Sequence, residues 1–128
     1  MNRKSTVGEL GEKIARDFLK NKGYRVLAQN VWEPWGEIDI IARDRGGVLV
    51  FAEVKALWTT YNEARPEGHY GTAKDRKTKR AVQLFIQKNQ KMFNDAIGYR
   101  IDLIAIHIKS ELLENWEQGL EIRHYENI

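Results

Sequence analysis

Residues 37–56 read EIDIIARDRGGVLVFAEVKA, and the way this stretch folds back on itself decides the architecture. Two runs rich in Ile, Val and Phe, Glu37–Arg43 and Val48–Ala56, flank Asp44-Arg45-Gly46-Gly47. β-branched and aromatic residues favour strands, and the paired glycines favour a tight hairpin between them. In an antiparallel pair, opposed residues have a constant sum of sequence numbers and share a face. Centring the turn on Gly46 puts Ile38, Ile40 and Ala42 on one face with Val54, Ala52 and Val50, all apolar. The other face then carries Glu37, Asp39 and Ile41 opposite Lys55, Glu53 and Phe51. A slip of one residue would mix the two sets, so the apolar pattern selects the register.

That register sets Asp39 against Glu53. Two carboxylates facing each other across a strand pair repel, and a divalent cation between them removes the penalty. Oxygen donors without Cys or His suit Mg²⁺ or Mn²⁺ rather than zinc. Lys55, two residues beyond Glu53 on the same face, is placed to neutralise charge, orient a water or stabilise a phosphorane-like transition state. The competing reading is simple: an E-x-K on a strand commonly marks a solvated face or an ion pair. Glu37, opposite Lys55, is read as an ion-pair partner.

Outward from the hairpin, Val7–Lys22 carries apolar residues at Val7, Leu10, Ile14 and Phe18, the period of an amphipathic helix. Ser5 or Thr6 is placed to cap it, and Gly23 to end it. Tyr24–Trp32 reads as a strand. Leu57–Thr72 is polar, holds Pro66, Gly68 and Gly71, and reads as a long loop. A basic helix over Ala73–Asn94 follows, burying Val82, Phe85 and Ile86, then a strand Tyr99–Ile108 and an edge strand Leu120–Tyr125. The order α-β-β-β-α-β-β predicts an α/β sandwich, a central mixed sheet flanked by helices, as one domain over 1–128.

The 128 residues suffice for one core. The chain has no cysteine, which excludes disulfides, thiolate chemistry and Cys-based zinc sites. No apolar run reaches the roughly 20 residues of a membrane-spanning helix, and the basic N-terminus lacks a signal peptide's apolar stretch, so the expectation is a cytoplasmic protein. The net charge is +3, but Lys74, Arg76, Lys77, Lys79, Arg80, Lys88 and Lys91 face only Asp75 between positions 74 and 91, leaving the remainder at −3. A local positive field on an acidic body fits a polyanion-facing surface; a solvated helix face would look the same.

Gly36–Ile41 (GEIDII) followed by Val50–Lys55 (VFAEVK) resembles the PD-(D/E)xK nuclease superfamily, of restriction endonuclease-like fold. The resemblance is closer to the small bacterial YraN group, also called UPF0102. It extends to G-E-x-x-A-x-x-F-L at Gly11–Leu19, GYRVLAQN at Gly23–Asn30, Arg76-Lys77 and RIDLI at Arg100–Ile104. It implies that Asp39 and Glu53 ligate Mg²⁺ (or Mn²⁺) and that Lys55 is catalytic. Similarity to archaeal Holliday-junction resolvases implies that Glu12 completes the acidic cluster, and that Lys77 lies near the phosphate backbone. In the group a basic residue usually follows the catalytic Lys by two positions, where this chain has Leu57, and Pro34 stands five residues before Asp39.

The leading expectation is therefore a metal-dependent endonuclease acting on DNA, branched or structured DNA included, with Lys74, Arg76, Lys77, Lys79 and Arg80 holding the backbone. RNA is not distinguished from DNA, and a homodimer is a candidate assembly by analogy with the resolvases. The alternative is a nucleic-acid-binding or complex-forming module without turnover. Among smaller signals, His69, His107 and His124 form no metal motif, and His107 reads as structural. Trp58, Tyr61 and Tyr70 are candidates for stacking on bases, Asp102 for pairing with an Arg or Lys, and Trp32 and Trp35 for core or rim packing.

Overall fold

The computed structural model describes residues 3–34, 36–60, 72–93 and 96–128. Helix α1 (Arg3–Asn21) leads into three strands, β1 (Arg25–Glu33), β2 (Gly36–Arg43) and β3 (Leu49–Thr59). Helix α2 (Thr72–Lys88) and a short 3₁₀ turn (Gln90–Phe93) precede β4 (Tyr99–Lys109), and a second 3₁₀ stretch (Leu113–Gly119) leads to β5 (Leu120–Tyr125). The expected order α-β-β-β-α-β-β is the observed one, an α/β fold with a mixed five-stranded sheet.

The strands lie side by side in chain order; β1–β2, β2–β3 and β4–β5 are antiparallel, and only β3–β4 is parallel. A parallel neighbour needs a crossover, and α2 supplies it. The helices take opposite faces. Ile14, Ala15 and Leu19 of α1 pack on Ile40, Ala42, Ala52, Ile104, Ile106 and Ile108. Ala81, Val82 and Phe85 of α2 pack on Ile41, Leu49, Phe51 and Ile101. Phe51 anchors this second core, its ring edge-on to Phe85 at 5.7 Å and stacked on Phe93 at 6.3 Å.

Local chemistry sets the boundaries. Helix α1 ends where Gly23 turns to φ +91°, with Gly23 N–H donating to Lys20 O at 3.0 Å and Tyr24 N–H to Leu19 O at 2.9 Å. The helix begins at Arg3, so Ser5 and Thr6 lie inside its first turns rather than at its cap. In the β2–β3 turn Asp44 Oδ1 accepts from Gly46 N–H and Val48 N–H, both at 2.9 Å, and Gly47 takes φ +94°. Strand β3 continues to Thr59, past the expected end at Ala56, because its outer half pairs with β4 through Thr59↔Lys109. Helix α2 stops at Lys88 rather than Asn94; the next residue, Asn89, turns its side-chain amide back onto Phe85 O at 2.9 Å. Strand β5 is a sheet edge, as expected, and β1 is the other. Among the described residues, no helix is long and apolar enough to cross a membrane.

Candidate acidic site where two strands part

The hairpin register is the one the apolar pattern selects: Arg43↔Leu49, Ala42↔Val50, Ile41↔Phe51 and Ile40↔Ala52. Beyond Ile40 the pairing of β2 with β3 ends. The Asp39 carboxylate replaces the backbone there, Oδ2 accepting from Val54 N–H at 2.8 Å. Alternation breaks at the same point, for Ile38 packs with Ile41 in the α2-side core rather than with Ile40 and Ala42. The expected all-apolar face of Ile38, Ile40 and Ala42 is thus corrected at Ile38. The gap between the parted strands is where the carboxylates gather.

Two close approaches bring the helices to this gap. Gly11 lies against Ala56, where a Cβ would collide with the Ala56 Cβ, so α1 sits flush on β3 with Glu12 one residue further along. Gly36 lies under α2, where a Cβ would sit 3.3 Å from Lys77 O. The carboxylate oxygens of Glu12, Glu37 and Asp39 come within 4.8 Å of one another. Asn30 joins them: with its amide nitrogen turned to the carboxylates, Nδ2 donates to Glu12 Oε1 at 2.8 Å and to Glu37 Oε1 at 2.9 Å. Asn30 has φ +52°, a left-handed conformation that asparagine tolerates better than most residues.

Glu53 is not part of that close trio. Only 3% exposed, it accepts from Thr78 Oγ1 of α2 at 3.4 Å, and its charge still reaches both Asp39 and Glu12. Burial first, then the Glu53 charge, pushes Asp39 up to about 7, while the Val54 N–H pulls the other way and Glu12 and Glu37 add to the rise. Glu12 is raised as well, by burial and then by Glu37, Glu9 and Glu53. Lys55 lies two residues beyond Glu53, paired with Ala105 and half-buried. Glu37, read from sequence as an ion-pair partner, stands in the acidic trio. The sequence pattern singles out neither Asn30 nor Thr78; an asparagine ending an apolar strand motif is the available signal for the first, whereas a threonine inside a basic helix gives none for the second.

An all-oxygen set of three carboxylates, two of them held above their ordinary range by burial and mutual repulsion, could hold a metal ion. On the flank, Arg76, Lys77, Lys79 and Arg80 of α2 are exposed. The Lys74 side chain lies outside the described residues, as do Trp35, Tyr61, His69 and Tyr70. Lys88 has a structural task, its Nζ donating to Glu33 Oε2 at 2.9 Å.

A second polar cluster, around the first residues of β4, gathers three carboxylates on one guanidinium. Arg100 pairs with Asp44 at 2.7 Å, Asp102 at 3.0 Å and Glu126 at 2.8 Å. Burial would raise Asp102, yet hydrogen bonds from His124, Asn127 N–H and Arg100 hold it below the usual carboxylate range. The expected Arg partner for Asp102 is therefore present. His107 is buried, as read, against the Thr59 hydroxyl at 2.5 Å. Trp58 is fixed to the body by Nε1 donating to Ser110 O at 2.7 Å. Trp32, expected to pack, instead stands 76% exposed.

A mixed five-stranded sheet between two helices, with a carboxylate cluster where β2 leaves β3, defines an α/β protein with an acidic site at a parting of strands. Residues 11–106 match the model of the uncharacterised protein family UPF0102, and the chain belongs to that family. A UPF0102 protein of Thermodesulfovibrio yellowstonii is 38% identical over 110 residues, covering 85% of this chain and 93% of its own length. One from Dictyoglomus turgidum is 35% identical over 117 residues, 91% of this chain and 95% of its own. A solved structure, Pyrococcus furiosus SfsA in complex with Ca²⁺, overlaps 96% of this chain and 63% of its own at 14% identity. Its TM-score of 0.36 is too low to bear on function.

Proposed function

We propose that the protein is a metal-dependent endonuclease that hydrolyses phosphodiester bonds in DNA, with Glu12, Glu37 and Asp39 holding a divalent cation. The observation that carries this reading is the convergence of those three carboxylates within 4.8 Å, with Asp39 raised to about 7. When bound, Mg²⁺ or Mn²⁺ supplies the polarisation of a phosphate oxygen and an acidified water. The chain's own residues do the rest. Asp39, fixed by Val54 N–H, and Glu12 and Glu37, bridged by Asn30, present carboxylate oxygens in a preset arrangement. Glu53, held by Thr78, adds negative charge from the α2 side and so adds to the pull on a cation at the trio. Lys55 opposes the charge that develops on the phosphate and orients the attacking water. Arg76, Lys77 and their basic neighbours hold the backbone without reading its sequence.

The test pairs calorimetric titration of the purified protein with Mn²⁺ and incubation with linear, flapped and branched DNA. Saturable Mn²⁺ binding and cleavage, both lost in Asp39→Ala, are expected. Salt-dependent DNA binding that is indifferent to Mn²⁺ and to Asp39→Ala would leave a binding module and refute the nuclease.

A further inference from the structure

Trp32 is the most exposed large apolar side chain among the described residues. Burying an aromatic ring is strongly favourable, so a tryptophan left in water beside a polar site calls for an explanation. Ile97 and Leu112 are also exposed but lie outside the β1–β2 pair that carries Glu37 and Asp39, and Tyr99 already packs edge-on against Phe51 and Phe93.

The position of Trp32 is fixed by β1–β2 pairing. It stands directly opposite Glu37, and opposed residues share a face with side chains about 5 Å apart. The neighbouring pair Val31↔Ile38 packs into the α2-side core, which sends Trp32 and Glu37 to the other face, where Glu12 of α1 lies. The next pair, Glu33↔Gly36, is pinned beneath α2: Lys88 holds the Glu33 carboxylate, and Gly36 meets the Lys77 backbone. One side of the strand tip is therefore clamped, and the indole projects from the other beside the carboxylate trio. The backbone of α2 at Lys77 meets Gly36, so the exposed Arg76 and Lys77 border this end of the sheet from the α2 face.

We propose that Trp32 is a stacking platform for an unpaired nucleobase next to the phosphate held at the acidic site, which makes the substrate class single-stranded or locally unpaired nucleic acid. The proposal rests on the functional reading above and narrows it. A base inside a duplex has both faces covered by its neighbours and offers none to an indole, whereas an unpaired base does. Cations at Arg76 and Lys77 and an aromatic face at Trp32 complement the two parts of such a strand, phosphate and base. Stacking depends on the π-face and not on the sugar, so DNA and RNA strands both qualify.

The experiment measures binding of wild type, Trp32→Ala and Trp32→Phe to fluorescein-labelled single-stranded DNA, the same strand as RNA, and the blunt DNA duplex, with Ca²⁺ present. Mn²⁺ titration and Tm are recorded for each variant. Trp32→Ala should weaken both single strands by roughly 5- to 150-fold and leave duplex affinity, Mn²⁺ binding and Tm essentially unchanged. Trp32→Phe should recover most of the loss. Unchanged single-strand affinity, or an equal loss for single strand and duplex, overturns the stacking role; a face reserved for a protein partner would give the first of these. Weakening of one sugar type alone overturns the base-only account. Absence of Mn²⁺ binding in wild type, with Trp32-dependent strand binding intact, would refute the metal site while leaving the stacking role standing.

Discussion

Replacing Asp39 with asparagine should stabilise the metal-free protein at neutral and alkaline pH while abolishing its hold on a divalent ion. In the folded chain burial, then the Glu53 charge, lifts the Asp39 carboxyl from 3.8 to about 7. A folded-state pKa above the unfolded one means that the native state binds the proton more tightly. Stability is therefore greatest below about pH 4 for this group and falls as pH rises through about 7. Three units correspond to a ceiling of about 4 kcal/mol at high pH, of which about 2.5 kcal/mol is lost between about pH 5 and pH 8. Local relaxation and water entry reduce the ceiling, and a loss of about 1–2 kcal/mol over that interval is the expected size. Asparagine keeps an oxygen for Val54 N–H and carries no charge, so the variant's stability should vary much less with pH. Urea unfolding at several pH values in the presence of EDTA measures both slopes. The reasoning is refuted if Asp39→Asn is less stable than wild type near pH 8, or if the two proteins lose stability equally from pH 5 to 8. In wild type, Mn²⁺ affinity should rise with pH through the same region, since the ion displaces a proton.

Gly11→Ala should cost about 1–3 kcal/mol, because the new methyl falls on the Ala56 Cβ; Ala56→Gly in the same chain should restore most of the urea midpoint. Asn30→Gly should keep the fold, since glycine accepts φ +52°, yet lower Mn²⁺ affinity about 10-fold by removing the amide between Glu12 and Glu37. Asn30→Ala should lose the same affinity and about 1 kcal/mol of stability besides, a difference that parallel calorimetry and thermal melts resolve. Arg76→Ala with Lys77→Ala should weaken binding to all DNA sequences alike, and a plot of log affinity against log salt should flatten by about one to two units.

Much of the architecture was legible because the relevant signals are periodic. Alternation from Ile40 to Arg43 and from Leu49 to Ala52 leaves one register that separates the two helix-covered faces, and the observed ladder follows it. The same logic misplaced Ile38, because it assumes that backbone pairs with backbone to the end of the strand. Here a side chain, Asp39, takes the N–H of Val54 instead, and nothing in a hydrophobic pattern records that exchange. Asp39 and Glu53 sense each other's charge, yet one joins the trio with Glu12 and Glu37 and the other hydrogen-bonds to Thr78 of α2. Trp32 departs from the packing expected of it for a related reason. Aromatic residues in strands usually find cover, and its exposure depends on β1 being a sheet edge and on the Glu33–Lys88 bond on the opposite face.

The parallel β3–β4 pair has a consequence for the order in which the molecule can form. Glu12, Asn30, Glu37, Asp39 and Glu53 all belong to the first 53 residues, whose pairings are local hairpins. β4 joins them only after the α2 crossover closes a long loop, and non-local pairing of this kind slows folding. A chain at that earlier stage gathers its negative charges without the strand that buries Phe51 and Ala52 from the far side. Closure of β3 on β4 is then the expected slow step of folding. Truncating Ile104 or Ile106 should accordingly slow refolding, whereas truncating Trp32 at the exposed tip should leave the refolding rate untouched.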